Sequence, residues 1–337
     1  QILDLVDIAL LLTYERSSTD PRFRGSKLHE VVLPGQSSTQ IPLPIEFEDN
    51  ETFIAFDAEP PDDVTSTTEP DTPLNILAAG GLAPNNPLSF ATPKQLETYF
   101  HRSRCHDTCF TCVTLLQYFF EGFPPSTPLR IRHGPQPSGT KTAAPSYITT
   151  INTFRIVEQT LIKPRMQTTI VKMSQDTGYR SGDEDRMVHA VTRFNPPQED
   201  PVVKGGNVTE SFLDLSSMQF GDVGRGPGKK GQGLFALDTA SEFRERMGSM
   251  CHGVIPSSVL VSHAVNSHPT MDSWLREVAA RARKRWEAAA EEKWCGHCGA
   301  PVKDDSKCAG CKAEWYCCRD HQKMAWGFHK HYCSKSR

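Results

Sequence analysis

The C-terminal end of the chain carries the run CGHCGAPVKDDSKCAGCKAEWYCCRDHQKMAWGFHKHYC, residues 295–333. Its ligand-type side chains form four spaced pairs: Cys295-x2-Cys298, Cys308-x2-Cys311, Cys317-x3-His321 and His329-x3-Cys333. An x2 spacing suits a tight turn, and an x3 spacing places two ligands one helical turn apart on the same face. A structural zinc ion takes four Cys or His ligands in a tetrahedral array. Eight ligands therefore predict two zinc ions.

A segment this short and rich in cysteine cannot bury much apolar surface. Structural zinc supplies apparent binding free energies of about 10–16 kcal/mol in small fingers, so we expect the metal to replace a core. Protein groups fill every coordination position, whereas a catalytic zinc keeps one position open for water or substrate. The sequence thus predicts two structural Zn²⁺ ions and a function on the surface of the module.

Residues 295–333 resemble a MYND-type zinc finger. Besides the first four cysteines, the matching residues are Tyr316-Cys317, Gln322, Trp326, His329-Lys330 and Cys333. One departure is His321, which stands where the family usually has a cysteine. Imidazole is a competent zinc ligand, so we expect this site to hold zinc through three thiolates and one imidazole.

The resemblance implies an interleaved arrangement of the two sites. One zinc would take Cys295, Cys298, Cys317 and His321, and the other would take Cys308, Cys311, His329 and Cys333. The spacing alone also allows a sequential arrangement, in which the first four cysteines share one ion and the remaining four ligands share the other. Within the ligand pairs, His297 and His331 are expected to face solvent or to support the ligands, and Cys318 is expected to be a spare thiol.

The resemblance also implies a partner. MYND-like modules serve as protein-interaction platforms, often for Pro-rich peptides, and aromatic side chains favour such peptides. Trp315, Trp326 and Phe328 are the aromatic candidates. We therefore expect the protein to bind a protein partner through the finger.

Length and composition bound the rest of the chain. Its 337 residues suggest about two folding units. A net charge of -3 argues against a bulk binder of nucleic acid. The longest apolar run, Ile2 to Leu12, is too short to cross a membrane and contains Asp4 and Asp7. Eleven cysteines in two clusters and one single position are typical of metal binding in a reducing compartment, so we expect a cytoplasmic or nuclear protein.

Four regions follow from composition and periodicity. Residues 1–73 form an N-terminal segment that ends in an acidic, Pro-rich linker over 57–73, and residues 74–250 form an α+β body in which helices precede an antiparallel sheet. Residues 271–293 form a basic connector helix, and residues 294–334 form the finger. The basic side chains of the helix, between Arg276 and Arg285, are interpreted as a solvated face, with nucleic-acid binding as the weaker alternative.

Individual elements are predicted inside the body. A capping box at Thr92 starts one helix, a second helix covers 108–120, and a short helix lies near 3–14. Short runs with period-two patterning predict strands, and these lie at 129–132, 168–173, 187–194 and 211–215.

A second function remains as an alternative. Cys105 precedes the predicted helix at 108–120, and His189 and Asp214 lie on successive predicted strands. This order resembles the papain-like and transglutaminase-like fold over residues 95–222. The resemblance implies a hydrolase or acyltransferase in which Cys105 attacks an amide or ester carbonyl, His189 shuttles the proton and Asp214 orients His189. The plain interpretation makes all three ordinary structural residues, and we favour it.

Overall fold

The computed structural model describes most of the chain. The described residues are 2–38, 51–57, 69–77, 87–134, 146–173, 177–197, 210–227, 231–256, 269–302 and 306–334. Most of the predicted acidic linker, residues 58–68, lies outside them, as do residues 228–230 of a glycine-rich segment.

Helices and strands are numbered here in chain order. The helices are α1 (Leu5–Ser18), α2 (Pro93–Cys105), α3 (Cys109–Phe120), α4 (Ala240–Met250), α5 (Pro269–Glu287) and α6 (Arg319–His329). Their starts follow local chemistry. The Asp4 carboxylate accepts the Val6 backbone N–H at 3.0 Å to cap α1, and Thr92 forms the predicted capping box with Gln95 at the start of α2.

The strands form three sheets. The largest is antiparallel and has the order β11-β10-β9-β6-β12. Its strands are β6 (Arg155–Pro164), β9 (Arg186–Phe194), β10 (Ser211–Asp214), β11 (Ala236–Thr239) and β12 (Cys251–Pro256). The second sheet joins β2 (Lys27–Val32), β3 (Glu51–Asp57), β7 (Gln167–Lys172) and β8 (Thr177–Ser181), and the third joins β1 (Leu3–Asp4), β4 (Pro128–Arg132) and β5 (Ser146–Thr150).

The α+β body is thus confirmed, and the predicted strands at 129–132, 168–173, 187–194 and 211–215 correspond to β4, β7, β9 and β10. The predicted helices correspond to α1, α2, α3 and α5. No helix among the described residues has the length and apolar character needed to cross a bilayer.

Helix α1 lies at the centre of the main hydrophobic core. It packs with α3 and α5 and is buried almost all round, because its sequence is apolar on nearly every side. Strand β3, also from the predicted N-terminal segment, pairs in parallel with β7 of the body. Residues 1–73 therefore supply a core helix and three strands, β1, β2 and β3, to the sheets and core that they share with the body.

Helix α5 directs its basic side chains at partners within the chain. Arg281 and Arg285 both pair with Glu15 of α1 at 2.9 Å, and Arg276 pairs with Glu121, just after α3, at 3.3 Å. Arg283 donates to the carbonyl oxygens of two residues in α3. These contacts use the positive charge to fasten α5 to the body, which argues against a basic surface for nucleic acid.

Replacing Leu11 with Ala tests whether α1 belongs to the body core. Leu11 is fully buried in that core, so we expect the free energy of unfolding to fall by about 2–5 kcal/mol. Urea unfolding of the zinc-loaded chain would measure it. Leu74→Ala, at a site that is 70% exposed, is the control and should change the free energy of unfolding by less than about 0.5 kcal/mol. Equal effects of the two substitutions would contradict the central position of α1.

Candidate metal centre

The eight predicted ligands are held by turns and by the two ends of α6. Cys295 and Cys298 flank a turn in which the Gly299 N–H donates to the Cys295 carbonyl at 2.9 Å. Helix α6 carries His321 and His329, whereas Cys317 precedes the helix and Cys333 follows it. The expectation that each x3 pair lies on one helical face was therefore wrong. Each pair combines one ligand inside α6 with one ligand just outside it.

The first ligand cluster contains Cys295, Cys298, Cys317 and His321. The sulfurs of Cys298 and Cys317 are 3.9 Å apart, and the Nδ1 atom of His321 lies 3.6 Å from the sulfur of Cys295 and 3.0 Å from that of Cys317. The second cluster contains Cys308, Cys311, His329 and Cys333. Here two sulfurs, of Cys308 and Cys333, are 3.9 Å apart, and His329 Nε2 lies 3.4 Å from the Cys311 sulfur.

Four of these five distances fit tetrahedral zinc, and the fifth, from His321 Nδ1 to the Cys317 sulfur, is shorter. With Zn–S bonds of about 2.3 Å and Zn–N bonds of about 2.0–2.1 Å, a tetrahedron places two sulfurs about 3.8 Å apart and a sulfur about 3.5 Å from a nitrogen. The ligand atoms of each cluster all lie within 4.8 Å of one another. Two structural zinc ions fit the module, and the ligands group in the interleaved arrangement rather than the sequential one. When bound, the ions replace an apolar core.

Cys318 lies outside both clusters. It is exposed, and its sulfur accepts the His321 backbone N–H at 3.5 Å at the start of α6. It thus caps the helix, in keeping with its prediction as a spare thiol.

His297 belongs to a contact between finger and body that sequence reasoning missed. It is 3% exposed and its Nε2 atom donates to Glu97 of α2 at 2.9 Å, while Arg225 donates to the other Glu97 oxygen at 2.9 Å. Burial alone would raise the pKa of Glu97. The neighbouring His297 and Arg225 lower the pKa by more than burial raises it, so that its value is about 2. Glu97 is therefore a buried carboxylate anion held between two donors.

Further hydrogen bonds dock the finger on the body. Arg285 donates to the Gly299 carbonyl at 2.8 Å, and the Tyr332 hydroxyl donates to the His133 carbonyl at 2.7 Å. Gly299 has a φ of 75° and lies so close to the Leu10 carbonyl that a Cβ would be 2.2 Å from its oxygen. Only glycine fits this conformation and this approach. The finger is a packed part of the molecule.

A cleft of about 500 Å³ lies where finger and body meet. Helix α6 forms one wall, and α1, β11, α4 and the described residues 226–227 and 231–233 form the other. Its lining is largely apolar and includes Val6, Leu10, Pro227, Phe235, Leu237, Met324, Ala325 and Phe328, together with the acidic Glu242 and Glu245. The volume lies within the range of sites that hold small ligands or anchor side chains.

The predicted catalytic residues are brought together only in part. His189 Nε2 and Asp214 Oδ2 are 2.8 Å apart, but the Nδ1 atom of His189 lies 3.3 Å from the side-chain nitrogen of Gln219. The sulfur of Cys105 accepts a hydrogen bond from Arg16 Nη2 at 3.0 Å. Both nitrogens of His189 thus have neighbours other than Cys105.

The environment of Cys105 also differs from that of an activated thiol. It is the last residue of α2, four residues before the start of α3, and it is fully buried. Burial raises the pKa of the Cys105 thiol, and the nearby Arg16 opposes this only in part. These observations favour a structural role, and the hydrolase or acyltransferase alternative stays a prediction.

Replacing Cys308 with Ser separates the two zinc arrangements. In the interleaved arrangement the change should free Cys311 and Cys333 for alkylation while zinc still protects Cys295, Cys298 and Cys317. Peptide mass spectrometry after brief alkylation would measure this, with zinc content as a check. Alkylation of Cys295 and Cys298 with protection of Cys333 would indicate the sequential arrangement instead.

Alkylation of zinc-loaded protein also tests Cys105. Because it is buried with a raised pKa, we expect it to react as slowly as Cys109 and Cys112 at neutral pH. Fast reaction near pH 6–7, below the usual thiol pKa of about 8.5, with slower reaction in His189→Ala, would instead establish a thiolate–imidazole pair.

Comparison with known proteins supports the interpretation of residues 295–333 as a zinc finger. No curated protein and no solved structure matches the chain. Residues 295–333 match the family model of the MYND finger, and this span contains both ligand clusters. The C-terminal module of this chain is thus a MYND-type zinc finger.

Proposed function

We propose that this protein is a zinc-dependent docking protein whose finger, together with the body, binds a Pro-rich segment of a partner protein. The observation that carries the proposal is the apolar cleft between α6 and the body, next to a MYND finger. MYND fingers commonly mediate protein–protein interaction, and the zinc sites have no ligand position left for chemistry. The function is therefore assigned to a surface.

The chemistry of the cleft favours a Pro-rich peptide. Such a segment adopts a polyproline helix before binding, so it loses little conformational entropy, and it packs its rings against aromatic and apolar walls. Phe328 lines the cleft, and its ring lies 5.1 Å from that of Tyr332. Among the described residues that line the cleft, Phe328 is the only one of the three aromatic candidates.

The other two aromatic side chains lie elsewhere. Trp326 is 44% exposed and does not line the cleft, because residues two apart on a helix point to different sides. Trp315 lies below the ammonium group of Lys307, which is 5.3 Å from its ring centre. The three aromatic residues therefore do not form one continuous platform.

The charged side chains that line the cleft already have partners within the chain. The buried Glu242 carboxylate accepts from the Thr239 backbone N–H and hydroxyl at 2.9 and 2.8 Å in the capping box of α4, and Arg132 pairs with Asp4 at 2.8 Å. The apolar walls therefore carry the expected preference for a partner. All eleven cysteines are free of disulfides, in keeping with our proposal of a cytoplasmic or nuclear location.

Replacing Phe328 with Ala should weaken binding of Pro-rich peptides by at least about tenfold, because it removes an aromatic anchor from the cleft. Trp326→Ala is the matched control and should leave affinity unchanged, since its ring lies outside the cleft. An array of short Pro-rich peptides would supply the probe, and fluorescence anisotropy would measure affinity. Binding that is lost in Trp326→Ala but kept in Phe328→Ala, or that persists after zinc chelation, would contradict the proposal.

A further inference from the structure

A buried carboxylate of the body lies against the first ligand cluster of the finger. Glu97 is in α2, is 2% exposed, and is separated from His297 by 200 positions in the chain. One of its oxygens accepts from His297 Nε2 at 2.9 Å, and the same oxygen lies 3.6 Å from Nε2 of the zinc ligand His321. Its other oxygen accepts from Arg225 at 2.9 Å.

The two ring nitrogens of His321 have separate roles. Nδ1 faces the sulfurs of Cys295 and Cys317, so Nδ1 is the metal-binding atom. Nε2 must then carry the hydrogen of the neutral ring, and it points towards Glu97. Zinc-bound histidines commonly donate this second N–H to a carboxylate, which fixes the ring orientation and makes the ligand nitrogen more basic.

The ring of His297 helps to hold this arrangement. Its centre lies 4.6 Å from that of His321, and its hydrogen bond fixes the carboxylate beside both rings. A separation of 3.6 Å is longer than a formed hydrogen bond, so the contact between Glu97 and His321 is electrostatic in this geometry.

We propose that Glu97 is a positioning residue for the first zinc site of the finger, supplied by the body of the same chain. Its carboxylate orients His321 and stabilises the Nε2 hydrogen, so the first site binds zinc more tightly when the finger is docked on α2. The coupling is reciprocal: zinc in the first site favours the docked finger. The second site is independent of it, because its four ligands make no described contact with Glu97.

Direct coordination of a third metal by Glu97, His297 and His321 is the competing arrangement, since their ligand atoms also lie within 4.8 Å of one another. Two features oppose it. The guanidinium of Arg225 already pairs with the carboxylate at 2.9 Å and would repel a further cation. Because Nδ1 of His321 faces the first ligand cluster, a second metal would also require Nε2 of the same imidazole to lose its hydrogen.

The test uses the full chain with Glu97→Gln, which keeps the shape of the side chain and removes its charge. Cobalt and zinc affinities of the first site would be measured by chelator competition in the Cys308→Ser background, in which the second site is disabled. We expect Glu97→Gln to lower the affinity of the first site by about 10–100-fold and to change its cobalt absorption spectrum. The affinity of the second site, measured in the Cys317→Ser background, should not change.

Asp20→Asn is the matched control. It weakens an ion pair of the body, between Asp20 and Arg22 at 2.9 Å, whose described hydrogen bonds involve neither Glu97 nor the finger. We expect it to leave the affinity of the first site within about twofold, even where it lowers the stability of the body. The proposal is overturned if Glu97→Gln keeps the affinity of the first site, or if Asp20→Asn lowers it equally. A third equivalent of metal that binds the unmodified chain and is lost in Glu97→Gln would also overturn it, in favour of direct coordination.

Discussion

Metal coordination is the constraint on which the C-terminal part of this molecule depends. The buried cluster of the finger contains Cys295, Cys308, Tyr316, Ala325 and Cys333, so three of its five members are zinc ligands. The side chains that would form a core in a larger domain are here the ones that hold metal. The position of α6 is fixed by the same ions, because His321 and His329 near its two ends bind different zinc atoms. The wall of the cleft that α6 forms therefore depends on zinc binding at both sites.

The body supplies a packed surface on which that small module docks. Helix α1 is buried among α3 and α5, and Glu15 on α1 pairs with two arginines of α5. One of them, Arg285, also donates to the carbonyl of Gly299 in the finger. A single chain of buried polar contacts thus runs from the core helix through the connector to the first zinc turn. Such networks are costly when any member is missing, which makes the docked geometry specific.

Local chemistry could be predicted from the sequence and long-range packing could not. Ligand spacing identified the eight zinc ligands, and the family resemblance indicated how they group into two sites. The capping box at Thr92 located α2, and alternating patterns located β9 and β10. The parallel pairing of β3 with β7 joins residues more than a hundred positions apart, and no local pattern encodes such a partner. The contact of Glu97 with His297 could not be predicted for the same reason, because the two residues are 200 positions apart in the chain. The position of Cys105 at the end of α2, rather than at the start of α3, depends on a break in the backbone around Asp107, where φ is 50°.

The two-walled cleft has a thermodynamic consequence of its own. A ligand that touches both α6 and the body can bind only the molecules in which the two walls are assembled. Its apparent dissociation constant therefore equals the intrinsic value divided by the assembled fraction. Loss of zinc lowers that fraction, and occupancy of the cleft raises it by mass action. The affinity of the protein for its proposed partner would thus rise and fall with the availability of zinc, with no change in any residue that contacts that partner.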